Sequence, residues 1–159
     1  MSVTANGALH PVTIKSFGCR LNIAESEAMR AMLADGTDAP TIIVNGCAVT
    51  ANAVSDAASA ARRARREQPD ARIIVTGCAA QVDPARFAAM PEVDRVLGNG
   101  EKFEPTAYRF DGDHNARVIV GDAMALTRTA PQLVPAFADH ARGFLEVQNG
   151  CDHRCTFCV

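Results

Sequence analysis

The sequence predicts an α/β fold, an open parallel sheet with flanking helices, followed by the first strand of a second, incomplete domain. Three observations carry that expectation. Short β-branched apolar runs recur between Val12 and Val120, segments with helical signals lie between them, and the connections are short. Near-continuous apolar strands of this kind suit a parallel sheet covered on both faces.

The strands are read in order as VTIKSF (Val12–Phe17), TIIV (Thr41–Val44), RIIVT (Arg72–Thr76), VDRVLG (Val93–Gly98) and a weaker RVIV (Arg117–Val120). Between the first two, Asn22 followed by Glu25 resembles a capping box, and a helical run continues through Met29, Met32 and Leu33. Ala53 to Glu67 is rich in Ala and Arg, both good helix formers, with Pro69 just past its end. Asp83-Pro84 supplies an N-cap and a first-turn proline for a helix from Pro84 to Met90. Alternation of this kind implies right-handed βαβ units.

From Gly121 to Arg142 the pattern fades, and Pro131 and Pro135 interrupt a stretch without a clear period. A further strand, GFLEVQ (Gly143–Gln148), runs into the last cysteines just before Val159. The expected organisation is an N-terminal domain over residues 1–122, a linker over 123–142 and the beginning of a second domain over 143–159. One strand cannot bury its own faces, so this second unit is expected to be truncated.

The chain has 159 residues, 48% of them hydrophobic and 21% charged, enough to bury a single core. A formal net charge of −2 argues against a protein that holds nucleic acid by charge alone, though not against a local basic face. MSVTANGALH at the start has no apolar run of signal-peptide type, and no stretch approaches the ~20 apolar residues that span a bilayer. The expectation is a cytoplasmic protein with no membrane partner.

Six cysteines are the most informative residues: Cys19, Cys47, Cys78, Cys151, Cys155 and Cys158. Disulfide scaffolds are typically small secreted chains, whereas thiols in a reducing compartment more often bind metal or do redox chemistry. Cys19, Cys47 and Cys78 share one setting, SFGC, VNGC and VTGC, each at a strand end directly after a glycine. Ligands of open parallel sheets bind outside the carboxyl ends of the strands, so three thiols distant in sequence can converge there. Glycine before each permits unusual backbone angles and close approach of a bulky ligand. Three soft thiolates suit an iron–sulfur cluster, or zinc with one open position; the alternative is three small core residues.

Cys151-Asp152-His153-Arg154-Cys155-Thr156-Phe157-Cys158 is a C-x3-C-x2-C motif directly after a strand. Such spacing lets one loop hold three corners of a [4Fe–4S] cubane and leaves the fourth iron open. Zinc is the competing ligand, but structural zinc usually completes four protein ligands, and His153 is awkwardly placed between two cysteines for that role.

This motif, with Phe157 before its third cysteine, resembles the radical S-adenosylmethionine (SAM) enzymes. The upstream segments SFGCRLNIAESE, TIIVNGCAVT and PDARIIVTGCAAQ, with GFLEVQNGCDHRCTFCV, narrow the likeness to the MiaB-like radical-SAM methylthiotransferases, from about Val12 to the last residue. VTGCAAQ and VQNGCDHRCTFC most resemble members that act on N6-threonylcarbamoyladenosine beside the tRNA anticodon; members acting on isopentenyladenosine or on a ribosomal protein are near relatives. The resemblance implies two [4Fe–4S] clusters, one on Cys151, Cys155 and Cys158 with SAM on its open iron, and one on Cys19, Cys47 and Cys78 that delivers sulfur. It implies that Phe157 contacts the cofactor, that tRNA is the substrate, that an electron donor reduces the cluster, and that the second domain is a radical-SAM barrel. An adenine C2–H bond resists acid–base groups, which is why such chemistry is left to a cofactor radical. Gly46 departs from the family's usual Asn-Thr-Cys wording, losing a polar contact beside Cys47. A chain lacking most of the barrel is expected to be inactive alone. A non-catalytic iron–sulfur or zinc module is the alternative from another class.

Arg62, Arg63, Arg65 and Arg66 crowd one broad helical face that could meet phosphates, although a solvated face is the commoner meaning of such a run. Asn22, Glu25 and Glu27 could lie near the first cluster, with capping a sufficient role for the first two. His10, His114 and His140 have no partner spacing and read as surface residues.

Overall fold

A computed structural model describes residues 9–111 and 115–125, together with 153 and 155. Its elements run β1 (Val12–Phe17), α1 (Arg20–Met32), β2 (Thr41–Gly46), α2 (Ala51–Glu67), β3 (Arg72–Thr76), α3 (Cys78–Val82), α4 (Pro84–Ala88), β4 (Arg95–Leu97) and β5 (Val118–Ile119). Short 3-10 turns at Glu101–Phe103 and Pro105–Tyr108 join β4 to β5, and another covers Ala123–Ala125. The expected strand Gly143–Gln148 and nearly all of the expected linker lie outside the described residues.

Among the described residues the five strands are all parallel and follow one another in chain order, β1-β2-β3-β4-β5. Every residue of β2 is buried, as expected of a central strand covered on both sides. On one face Ile42, Val44, Ile73, Val75 and Val96 pack against Ala57, Ala61 and Ala64 of α2 and Phe87 of α4. On the other, Ile43, Ile74 and Leu97 pack against Met29 and Leu33 around α1 and against Tyr108. Thus α1 and α2 cover opposite faces although β1, β2 and β3 are adjacent and sequential. The β1-α1-β2 and β2-α2-β3 crossovers therefore have opposite hands, which corrects the expectation of uniformly right-handed units.

Helix starts follow local chemistry. Thr50 caps α2 by accepting the Ala53 amide at 3.2 Å, extending that helix two residues beyond the expected start at Ala53. Asp83 caps α4 through the Arg86 amide at 3.0 Å, with Pro84 in the first turn, as the sequence signals. For α1 the cap is Cys19, not Asn22. The Asn22 side chain sits one turn inside the helix and accepts the Cys19 amide through Oδ1 at 3.2 Å.

Arg65 is a structural residue, separate in role from its exposed neighbours Arg62, Arg63 and Arg66. It donates to the carbonyls of Pro69 (2.6 Å), Ala71 (2.9 Å) and Glu92 (3.0 Å) and pairs with Asp94 at 2.6 Å. Asp94 in turn accepts the Ile73 amide at 2.7 Å, so α2, β3 and the approach to β4 are tied together.

Candidate functional site

The sheet register brings the three upstream Gly-Cys pairs into line. Phe17 pairs with Gly46 and Asn45 with Thr76, so the chain leaves β1, β2 and β3 at one level on the carboxyl edge. The Cys47 amide donates to the Phe17 carbonyl at 2.9 Å, carrying the pairing one residue past the strand. Gly18 and Gly77 then take φ values of +125° and +91°, in the region that disfavours side chains. A Cβ on Gly18 would overlap that of Cys47 and lie 3.2 Å from its Sγ; one on Gly77 would overlap Asn45 Oδ1. Gly46 has an ordinary backbone, but a Cβ there would meet Ala57 Cβ at 3.1 Å and Ala79 Cβ at 3.3 Å. A threonine at this position would press on Ala57 of α2 and Ala79 of α3.

The three thiols differ in environment. Cys19 is exposed at the start of α1, Cys47 is buried, and Cys78 is intermediate as the first residue of α3. Cys47 Sγ accepts the Val49 amide at 3.4 Å, and Cys19 Sγ donates to Asn22 Oδ1 at 3.3 Å. Burial pushes the Cys78 thiol up; the nearby Glu25 carboxylate adds to this, and Lys102 and Asn99 oppose it. Cys19, Cys47, Cys78 and Cys155 are all free thiols. Among the described residues no three His, Cys, Asp or Glu side chains converge on a point suited to a single metal ion.

Beneath this edge lies a polar network of which the sequence offers only Asn22 and Glu25, both expected near the first cluster. Asn45 is fully buried on β2; its Nδ2 donates to the Asn22 carbonyl (3.0 Å), Ser26 Oγ (3.1 Å) and Glu25 Oε2 (3.3 Å). Its Oδ1 accepts from Asn22 Nδ2 at 3.2 Å. Glu25 Oε1 pairs at 2.6 Å with Lys102 Nζ, whose residue is 1% exposed. Lys102 Nζ also donates to Asn99 Oδ1 at 2.9 Å, and Asn99 Nδ2 faces Cys78 Sγ at 3.9 Å. The strand-edge rule could have found Asn99 and Lys102, since both follow the carboxyl end of β4. Glu27 is buried too, but it bonds Arg30 on its own helix and belongs to no thiol contact.

Of the downstream motif, Cys155 is exposed, whereas Cys151, Phe157 and Cys158 lie outside the described residues. His153 is exposed. Among the described residues no helix is long and apolar enough to cross a membrane.

A protein-family model described as "Uncharacterized protein family UPF0004" matches residues 11–98, more than half of the chain and the whole run from β1 to the end of β4. The chain is 46% identical over 147 residues to a threonylcarbamoyladenosine tRNA methylthiotransferase of Rickettsia prowazekii, covering 92% of this chain and 34% of that protein. It is 33% identical over 158 residues to the Bacillus subtilis protein of the same description, covering 93% and 35%. It is 34% identical over 181 residues to a tRNA-2-methylthio-N(6)-dimethylallyladenosine synthase of Novosphingobium aromaticivorans, covering 100% and 38%. The chain thus spans about a third of the length of the curated relatives it matches. It belongs to the UPF0004 family, whose model covers the chain from β1 to the end of β4.

Proposed function

We propose that this chain is the N-terminal part of a tRNA methylthiotransferase that adds a methylthio group to C2 of N6-threonylcarbamoyladenosine by radical-SAM chemistry. The observation that carries this reading is the alignment of three Gly-Cys turns on one sheet edge, in a chain whose relatives include threonylcarbamoyladenosine tRNA methylthiotransferases. Cys19, Cys47 and Cys78 would hold one [4Fe–4S] cluster. The donor set fits such a group: the thiols are free, and the bare Cα atoms of Gly18 and Gly77 keep the edge open where a side chain would crowd it. Cys151, Cys155 and Cys158 would hold the second cluster, with SAM on its open iron and Phe157 against the cofactor. When bound, these groups supply a carbon-centred radical and a sulfur donor, which no side chain of this chain can supply.

The protein's own part is to bind and orient. Cys47 is held rigidly by the Phe17 carbonyl and the Val49 amide, whereas Cys19 stands exposed at the mouth of the edge. Arg62, Arg63 and Arg66 are exposed on α2 and available to tRNA phosphates. The activity is expected to operate in the cytoplasm with an external electron donor and to require the barrel beyond this region. The domain limits of 1–122, 123–142 and 143–159 belong to the same proposal.

The test has two arms. Anaerobic reconstitution with iron and sulfide should give two clusters, one of which changes its EPR signal on SAM titration; a non-catalytic module would show no SAM response. Full-length protein should then produce methylthiolated threonylcarbamoyladenosine in digested tRNA. Methylthio groups found only on isopentenyladenosine, or only on a ribosomal protein, would replace the substrate named here.

A further inference from the structure

A single hydrogen-bonded chain of side chains joins Cys19 to Cys78 underneath the sheet edge. From Cys19 it passes through Asn22 Oδ1, then Asn22 Nδ2 to Asn45 Oδ1 (3.2 Å), and Asn45 Nδ2 to Glu25 Oε2 (3.3 Å). It continues from Glu25 Oε1 to Lys102 Nζ (2.6 Å), from Lys102 Nζ to Asn99 Oδ1 (2.9 Å), and from Asn99 Nδ2 towards Cys78 Sγ (3.9 Å). Asn22, Glu25, Asn45 and Lys102 are each 5% exposed or less. Three of these links cross twenty or more residues of sequence, and the Glu25–Lys102 pair crosses far more, so no local turn explains the chain.

We propose that Lys102 and Glu25 are positioning residues that set the charge beneath the three-thiol edge, and through Asn99 and Asn45 hold the ligands of the cluster-binding site in place. The inference rests on the reading of Cys19, Cys47 and Cys78 as cluster ligands. Its physical basis is the cost of burying an ion pair. Desolvating a carboxylate and an ammonium together is rarely favoured over an apolar pair of the same size, so a retained buried pair asks for a reason beyond stability. A site that gathers thiolates supplies one. The ammonium offsets negative charge gathering along the edge, the carboxylate limits how far it does so, and partners behind metal ligands commonly tune the metal. Both groups act through an amide, Asn99 on one side and Asn45 on the other, which fixes direction as well as charge.

The experiment uses the chain carrying Cys151→Ala, Cys155→Ala and Cys158→Ala, so that only the upstream thiols remain to load. After anaerobic reconstitution, iron content and the cluster's midpoint potential are measured for this background and for Lys102→Met, Lys102→Arg, Glu25→Gln and the Lys102→Met/Glu25→Gln pair. Removing the cation should lower the potential, removing the anion should raise it, and Lys102→Arg and the paired variant should return towards the background value. Opposite shifts from two neutralisations are a signature that general loosening of the fold cannot give. Should Lys102→Met fail to load, loading by Lys102→Arg and a raised potential in Glu25→Gln still support the assignment. Unchanged potentials, or shifts of one sign in both variants, overturn it while leaving the cluster reading intact. A background chain that takes up no iron overturns the cluster reading and this inference with it.

Discussion

The backbone of Gly18 runs so close to Cys47 that a single methyl group on its Cα would lie 2.1 Å from the Cys47 Cβ. The cysteine of one strand end is thus wedged against the glycine of the neighbouring one.

Gly18→Ala should therefore be costly, both for the φ of +125° and for the overlap. A loss of about 2–3 kcal/mol in urea unfolding is expected, with impaired iron uptake. Gly46→Ala has a normal backbone and ordinary crowding at 3.1 Å from Ala57, so about 1 kcal/mol is expected. Equal losses in the two would contradict the wedge.

Arg65 and its neighbours should separate cleanly. Arg65→Met removes the Asp94 pair and three bonds to carbonyls, and about 2 kcal/mol of stability should go with them. Arg62→Ala and Arg63→Ala should stay within about 0.5 kcal/mol by thermal unfolding. If the helix face meets tRNA, full-length protein with both exposed arginines replaced should bind tRNA more weakly with a smaller salt slope.

Acid should weaken one specific tie. Arg72 donates to both oxygens of Asp38, at 2.5 and 3.0 Å, and this bond holds the Asp38 carboxyl below its ordinary value. A carboxyl with a lowered folded-state value stabilises the fold above its unfolded value of about 3.9, and that contribution is lost as pH falls further. The side chain of Asp38 is 58% exposed, so the pair is worth only about 0.5 kcal/mol. Asp38→Asn should lose that much at pH 7, and the gap to the parent should close as unfolding is followed below pH 4.

Tyr108 offers a test of the support under Lys102. Its hydroxyl donates to the Lys102 carbonyl at 2.6 Å, and burial raises its phenol so that it stays protonated. Tyr108→Phe should cost about 1–2 kcal/mol in urea unfolding. An unaltered midpoint would show that the turn holding Lys102 does not depend on this bond.

The sheet and the edge carrying Cys19, Cys47 and Cys78 were legible because strands write themselves as compact apolar runs and glycine marks their ends. The short helix α3 escaped because five residues are too few to show a helical period, and its first residue is the cysteine itself. The start of α1 reads one turn too late, at Asn22, because asparagine looks like a cap, whereas Cys19, a poor capping residue by type, holds that position. Asn45 falls just past the expected strand Thr41–Val44, and nothing nearby in sequence hints that its amide reaches α1. Glu25 and Lys102 meet only through tertiary folding, which no periodicity records.

The face that α2 turns to the sheet is built largely of alanines, Ala57, Ala61 and Ala64, with Val54 packed beside them near the start of the helix. With so little side chain between helix and strand, a bulkier residue at Ala57, Ala61 or Ala64 would push the helix off the sheet. Its cap is Thr50, three residues after Cys47, so the thiol lies within one short loop of any such displacement.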